Sequence, residues 1–527
     1  MKHSFFIRAV FLVLASFGLN AAVMSEMKLD DANMNEVGVV ELQQRMANGD
    51  VTATKLVTYY LDRIAATNHQ GPTLNAVISL NPDALAIAAS LDEERSSGSV
   101  RGPLHGIPVL LKDNINTQDK MPTTAGALAL ANNFATSDAF IVQRLRDAGA
   151  IILGKANLSE WANFRSTNSM SGWSTTGGQT RNPYVLNRNT CGSSSGSAVA
   201  VSANLVPLAV GTETDGSIVC PSAINGVVGI KPTLGLLSRS GIVPIAHSQD
   251  TAGPMAKSVR DAALMLSAMT GVDARDLDSA ESETHRVSDY TAALNDDALR
   301  GARIGVTSNM GYFSDKSNTV FAAAITQLKA AGAIVVEVGE MPHSEDYGDE
   351  EFEVLLYEFK AELNAYLATV NEQGPVHSLS ELIAFNLQNS DKTMPHFGQE
   401  ILFMAEERGD LNDETYLKAR EKSRRLARAG IDTLLQEHEL DAIVMTVNTP
   451  AWLTDHVNGD HYKGGSSSPA AVSGYPSVTV PMGNVEGLPV GIAFVGGRWE
   501  EAKLIGLAHG FEAQTRARIV PKFKPSL

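Results

Sequence analysis

The chain has 527 residues with 42 Lys plus Arg against 59 Asp plus Glu, and the resulting net charge of −17 argues against non-specific binding to phosphate backbones. Hydrophobic residues at 44% and charged residues at 19% describe a packed globular protein rather than a disordered one. Two cysteines cannot make a disulfide framework, and no C-x-x-C or H-E-x-x-H spacing offers a metal site.

Lys2, His3 and Arg8 precede a short apolar stretch, residues 9–19, that ends at the small residues Ala21 and Ala22. This is the layout of a secretory signal peptide, residues 1–21, and implies a periplasmic or secreted protein. A retained N-terminal anchor is the alternative. No other apolar run reaches 18 residues, so the mature chain is expected to be soluble, without a membrane role. An oxidising compartment would allow Cys191 and Cys220 to pair, but two separate buried thiols is the favoured expectation.

From there helix and strand patterns alternate. Thr52 is placed to cap a helix over 53–66, with Leu56, Tyr60 and Ile64 on one face. Asn81-Pro82 sets up a helix over 82–95. The apolar run 107–111 reads as a buried strand ending at Lys112-Asp113-Asn114. Ser137 is expected to cap a helix over 138–147, followed by a strand at 150–153. Residues 166–197 are crowded with Gly, Ser, Thr and Asn but include Trp173 and Tyr184, which favours a compact functional loop over a tether. An apolar helix-like stretch, 198–205, and a strand, 205–210, follow. Later elements are strand 302–306, helix 320–331, strand 333–338, a helical block over about 351–437 that could cap a sheet edge, and strands 442–446 and 490–494. The alternation predicts an α/β fold with one large mixed β-sheet covered by helices on both faces.

Several motifs mislead. Gly192-Ser193-Ser194-Ser195-Gly196 matches G-x-S-x-G, but the preceding residues 182–190 are polar and turn-rich where a nucleophile elbow needs a strand. Gly149 to Lys155 has the P-loop spacing, with Ala156 in place of the hydroxyl residue and an apolar Ile151-Ile152-Leu153 centre, so a strand occupies the place of a phosphate loop. The S-x-x-K formed by Ser25 and Lys28 lies in the polar stretch after the signal peptide. His105 and His247 read as structural hydrogen-bonding residues.

Three segments carry the chemistry. The first runs from Gly106 to Asn114, with Lys112 at the end of an apolar strand, where burial would lower its pKa enough for it to act as a base. The others are Cys191-Gly192-Ser193-Ser194-Ser195-Gly196-Ser197 and Gly211-Thr212-Glu213-Thr214-Asp215-Gly216-Ser217-Ile218. Taken separately, each also has an ordinary explanation, a snorkelling lysine or a Gly/Ser turn.

Together the three resemble the amidase signature family, over about residues 36–518. By that resemblance Lys112 is the family lysine, Ser193 the serine held by a cis peptide bond, and Ser217 the nucleophile. The backbone of Thr214, Asp215, Gly216 and Ser217 is then the oxyanion hole. Within the family the likeness is greatest to the bacterial peptide amidase branch, through the stretches 101–106, 157–164 and 177–183 and the departures Cys191, Asp215 and Val219. The resemblance implies a secreted serine amidase that acts on the C-terminal amide of peptides and releases ammonia through an acyl-serine. It needs no metal or organic cofactor, binds no nucleic acid and is expected to be a monomer. Aryl, fatty-acyl or small aliphatic amides, or an amidotransferase A-type role, are the alternatives.

Overall fold

Short strands made mostly of apolar and small residues form the central layer, and they explain the layering of the molecule. The computed structural model describes residues 29–371 and 373–527, so the expected signal segment lies outside the described residues. One mixed sheet of 11 strands runs through the molecule. In chain order the strands are β1 (Val77–Leu80), β2 (Pro108–Lys112), β3 (Ile151–Ala156), β4 (Trp173–Ser174), β5 (Gly178–Gln179), β6 (Leu208–Glu213), β7 (Val228–Lys231), β8 (Thr251–Ala256), β9 (Arg303–Val306), β10 (Ile334–Glu337), β11 (Ala442–Thr446), β12 (Ser477–Val485) and β13 (Leu488–Val495). Strands β4 and β5 form a separate small hairpin, and the large sheet has the order β1-β3-β2-β6-β8-β7-β12-β13-β11-β9-β10. Its neighbours β2/β3, β2/β6, β9/β11 and β9/β10 are parallel, and the rest antiparallel.

Every residue of β2, β3, β6, β7, β8, β11 and β13 is buried. Successive side chains of a strand point to opposite faces, so helices and loops cover both faces of the sheet, as expected. The edge strands β1 and β10 are the most exposed, and β9 and the far end of β12 are partly so.

Local signals placed some boundaries and not others. Thr52 Oγ1 accepts from Lys55 N at 3.1 Å and starts the helix Ala53–Thr67. The next helix is Ala84–Ser96, two residues later than Pro82 suggested, because Asn81 Oδ1 folds back to accept from Asp83 N at 3.0 Å. Ser137 does not cap its helix, which begins at Phe140. The Asp138 carboxylate accepts instead from Gln118 N at 2.7 Å and from Arg146 at 3.0 Å. The Ser195–Ser202 helix starts three residues before the expected 198, and β6 is displaced to Leu208–Glu213, carrying Thr212 and Glu213 into the sheet. The start of the Ser195–Ser202 helix packs closely on the residues just before β1 and just after β3 because Gly196 leaves room: a Cβ there would lie 2.3 Å from Ala76 O and 2.5 Å from Asn157 N.

The helical block does not cap an edge of the sheet. Leu356, Phe359, Leu363, Leu382 and Leu402 from that block form an apolar cluster with Ala127, Trp161, Phe164 and Ile245, which belong to loops beyond the strand ends. The long helix Glu414–Glu437 turns back to the sheet, packing Ile431 and Leu434 on Ile443 and Met445 of β11.

Candidate active site

The site grows from the carboxyl ends of β2 and β6. These parallel neighbours pair Leu111 with Val210, so Lys112 and Thr212 emerge side by side. Lys112 is fully buried and donates to Ser193 Oγ at 2.7 Å, Thr212 Oγ1 at 2.8 Å and Thr212 O at 3.0 Å. Three acceptors satisfy three N–H directions, but none carries a charge. Burial therefore pushes the Lys112 ammonium down to about 7, against weaker upward pulls from Asp250 and Glu213. Asn114 Nδ2 donates to the same Thr212 hydroxyl at 3.0 Å and holds it.

Ser193 sits in the polar loop, which is compact as expected. The peptide bond Gly192–Ser193 is cis. Ser193 O accepts from Ser159 N at 3.1 Å. Ser159 Oγ accepts from Gly172 N at 2.9 Å. The side chain of Asn157, also buried, bonds Asn75 O, Gly178 O, Thr180 Oγ1 and Ser174 Oγ. These bonds fix the loop together with a small apolar cluster of Tyr184, Val185 and Cys191 against Ile224 and Trp452. Cys191 and Cys220 are joined by a disulfide, which corrects the expectation of two separate thiols. The loop brings Cys191 within 6.0 Å, Cα to Cα, of Cys220 on the helix Val219–Ile224, a proximity that no spacing in the sequence reveals.

Ser194, the centre of the G-x-S-x-G pattern, is fully buried and faces the sheet. Its hydroxyl donates to Thr212 O at 3.0 Å and accepts from Thr212 N at 3.2 Å. It locks the loop to β6, and no strand precedes it. The P-loop spacing is β3 itself, whose Lys155 is buried against Thr123 and Ile115 O. His105 bonds Leu91 O, and His247 pairs with Glu362, both outside the Lys112 cluster.

Thr214, Asp215, Gly216 and Ser217 form a turn between β6 and the helix Val219–Ile224. Gly216 has φ +80, and a Cβ there would lie 2.9 Å from Ser467 Oγ. Glu213 Oε2 accepts from Ile218 N at 2.6 Å and Val219 N at 2.9 Å, so it caps the helix after the turn. The N–H groups of Asp215, Gly216 and Ser217 donate to no acceptor among the described residues. Ser217 O accepts from Ser194 N at 3.1 Å, which ties the turn to the cis-peptide loop. Thr214, Asp215, Gly216, Ser217, Cys191 and Gly192 all line one cavity of about 550 Å³. Phe164, Leu355 and Tyr462 line the same cavity, alongside polar residues such as Asn168 and Asp460.

The structure thus brings Lys112 and Ser193 into contact behind the cavity and ties the loop that carries Ser193 to the Thr214–Ser217 turn that lines it. Thr212 and Asp250 make contacts that sequence reasoning left unassigned. Asp250 accepts from Thr214 Oγ1 at 2.5 Å and from Ile245 N at 2.8 Å, and burial pushes its carboxyl up to about 6. A signal existed only for Thr212, inside the third segment. Among the described residues no three His, Cys, Asp or Glu side chains gather as metal ligands.

The family model described as Amidase matches residues 55–505. A probable amidase of Arabidopsis thaliana is 40% identical over 537 residues, 99% of each chain. The A-type subunit of a glutamyl-tRNA(Gln) amidotransferase from Coxiella burnetii is 33% identical, over 92% of this chain and 98% of that one. The solved peptide amidase of Stenotrophomonas maltophilia is 53% identical, with a TM-score of 0.89 over 93% of this chain and 99% of that chain.

Proposed function

The chain belongs to the amidase signature family and is a hydrolase of amide C–N bonds; within that activity we propose that it removes the C-terminal carboxamide of peptides through an acyl ester on Ser217. The observation that carries the chemistry is the 2.7 Å contact from buried Lys112 to Ser193, beside the Ser217 turn.

A serine hydroxyl is a weak nucleophile at neutral pH and needs a base. Neutral Lys112 takes the Ser193 proton while Ser193 takes that of Ser217, and Ser217 Oγ attacks the carboxamide carbon. The N–H groups of the Thr214–Ser217 turn donate to the developing oxyanion. Losing one such donor costs about 10²–10³ in rate. The proton returns through Ser193 to the leaving nitrogen, the C–N bond breaks, and ammonia departs. Water then attacks the acyl-Ser217 ester, and the same relay returns the serine.

The likeness to a peptide amidase supports a peptide substrate. So does the cavity, with Phe164, Leu355 and Tyr462 to meet a side chain and a tight turn at the reacting end. We read the product side as too confined for a continuing chain. We also read residues 1–21 as an export signal cleaved near Ala21, which gives a periplasmic or secreted enzyme; fractionation that finds full-length protein confined to the cytoplasm contradicts that part.

A second reading, the ammonia-producing component of an amidotransferase, is favoured by the Coxiella relative. It requires co-purification with a partner protein, and export argues against it. The substrate test offers one peptide as free acid, amide and C-terminally extended form, followed by mass spectrometry. Only the amide should change, by loss of ammonia and gain of water. Cleavage inside the extended peptide, or turnover of aryl or fatty amides alone, refutes the peptide substrate.

A further inference from the structure

Two carboxyl groups meet beside the Thr214–Ser217 turn. Asp215 lines the cavity, and its Oδ2 accepts from Ser468 Oγ at 2.6 Å. Its Oδ1 is buried and receives no hydrogen from any hydroxyl or N–H group of the described residues. Glu351, on the helix Gly348–Leu367, reaches hydrogen-bond contact with Asp215 and is itself buried. Its Oε1 accepts from Gln249 Nε2 at 2.9 Å, and Gln249 also donates to Thr214 O at 3.3 Å. The helix is thereby coupled directly to the turn that holds Ser217.

Two ionised carboxylates in contact repel, and one of them keeps its proton. A proton held between Glu351 and Asp215 makes their contact a hydrogen bond and leaves the pair with a single negative charge. Burial first, then the Asp215 charge, push Glu351 well above the ordinary carboxylate range. The other titratable groups around the pair do not neutralise it. Tyr347 and Tyr462 are both shifted upward by burial and by Asp215, which keeps them uncharged. Lys231 directs its ammonium to Tyr475 O and Pro232 O, and Glu213 is committed to the helix start.

We propose that Asp215 and Glu351 form a one-proton carboxyl pair that makes the cavity accept a neutral carboxamide and expel the ionised acid it produces. This rests on the reading that the site hydrolyses carboxamides. Substrate and product differ there by one charge: the amide is neutral with N–H donors, and the acid is an anion without them. A fixed carboxylate can accept from the first and repels the second. Glu351 acts through Asp215 as a positioning residue: it holds the Asp215 carboxyl and limits the pair to one charge, which spares the oxyanion from a second repulsion.

The test uses N-acetyl-Ala-Phe amide as substrate and N-acetyl-Ala-Phe free acid as competitive inhibitor, from pH 6 to 9, in wild type, Asp215→Asn, Glu351→Gln and Glu351→Ala. Asp215→Asn should tighten inhibition by the acid about tenfold or more while KM for the amide moves far less, since only the acid feels the lost charge. Glu351→Gln, whose amide N–H replaces the shared proton, should keep the wild-type ratio of acid to amide affinity. Glu351→Ala should lose that ratio and displace its pH dependence. Unchanged acid inhibition in Asp215→Asn, or a Glu351→Gln variant as altered as Glu351→Ala, overturns the pair. If Asp215→Asn does not fold, the two Glu351 variants decide alone. Wild-type enzyme that releases no ammonia from any amide overturns the parent reading instead.

Discussion

Lys112 Nζ and Ser193 Oγ meet at 2.7 Å although 81 positions separate them in the chain. One closes a buried strand and the other follows a cis peptide bond, and both are fully buried. Bringing a lysine from 10.5 down to about 7 corresponds to roughly 5 kcal/mol of disfavoured charge. The fold bears that cost at the lysine that touches a candidate relay serine.

The pH profile of activity follows from it. Burial lowers the Lys112 pKa, so the neutral base is present above about 7 and is lost as pH falls through that value. Steady-state kcat/KM for an uncharged amide should fall about tenfold per unit below pH 6. A rate that rises toward acid contradicts neutral Lys112 as the base.

Removing any relay member should strand the proton. Ser217→Ala, Ser193→Ala and Lys112→Ala should each lower kcat by about 10³-fold or more, and the Lys112→Ala/Ser193→Ala double variant should be little worse than either single. Ammonia release in the four variants checks this, and additive losses count against a shared relay.

Gly216→Ala should impair turnover. The residue has φ +80, and the new Cβ would press on Ser467 Oγ at 2.9 Å, so the turn is strained and shifted together. A fall in kcat of at least about tenfold with KM less changed is expected, because a displaced oxyanion donor acts on the transition state. Adding Ser467→Gly in the same background should recover part of the loss.

The disulfide joins positions 29 apart, bridging the cis-peptide loop to the helix after Ser217. In the loop-entropy model such a closure is worth about 3–4 kcal/mol. The Cys191→Ala/Cys220→Ala variant should therefore show a clearly lowered urea midpoint. An unchanged midpoint would mean that the loop is held by its polar network alone.

The sheet is legible in the sequence where strands are apolar and continuous, as in β2 and β11, whereas β1, β7, β8 and β12 are not. The β8 segment, Thr251–Ala256, contains Gly and Pro and has no alternation, because both its faces are buried. The Ser195–Ser202 helix holds three serines and a glycine, a poor helix by propensity that forms because it is fully buried against the sheet. Lys112, Ser193 and Ser217 could be picked out because each lies in a short local motif that resembles the family. Asp215–Glu351 and Cys191–Cys220 could not, since pairing across distant elements leaves no periodicity to read. Ser194 illustrates the converse: a serine at the centre of a familiar pattern faces the sheet and bonds Thr212.

The central claim is that Ser217, rather than Ser194, forms the acyl intermediate. A fluorophosphonate label followed by proteolysis and peptide mapping tests it directly. One adduct is expected, on Ser217, formed more slowly in Lys112→Ala and at acid pH. An adduct on Ser194, or labelling whose rate ignores Lys112, would contradict it.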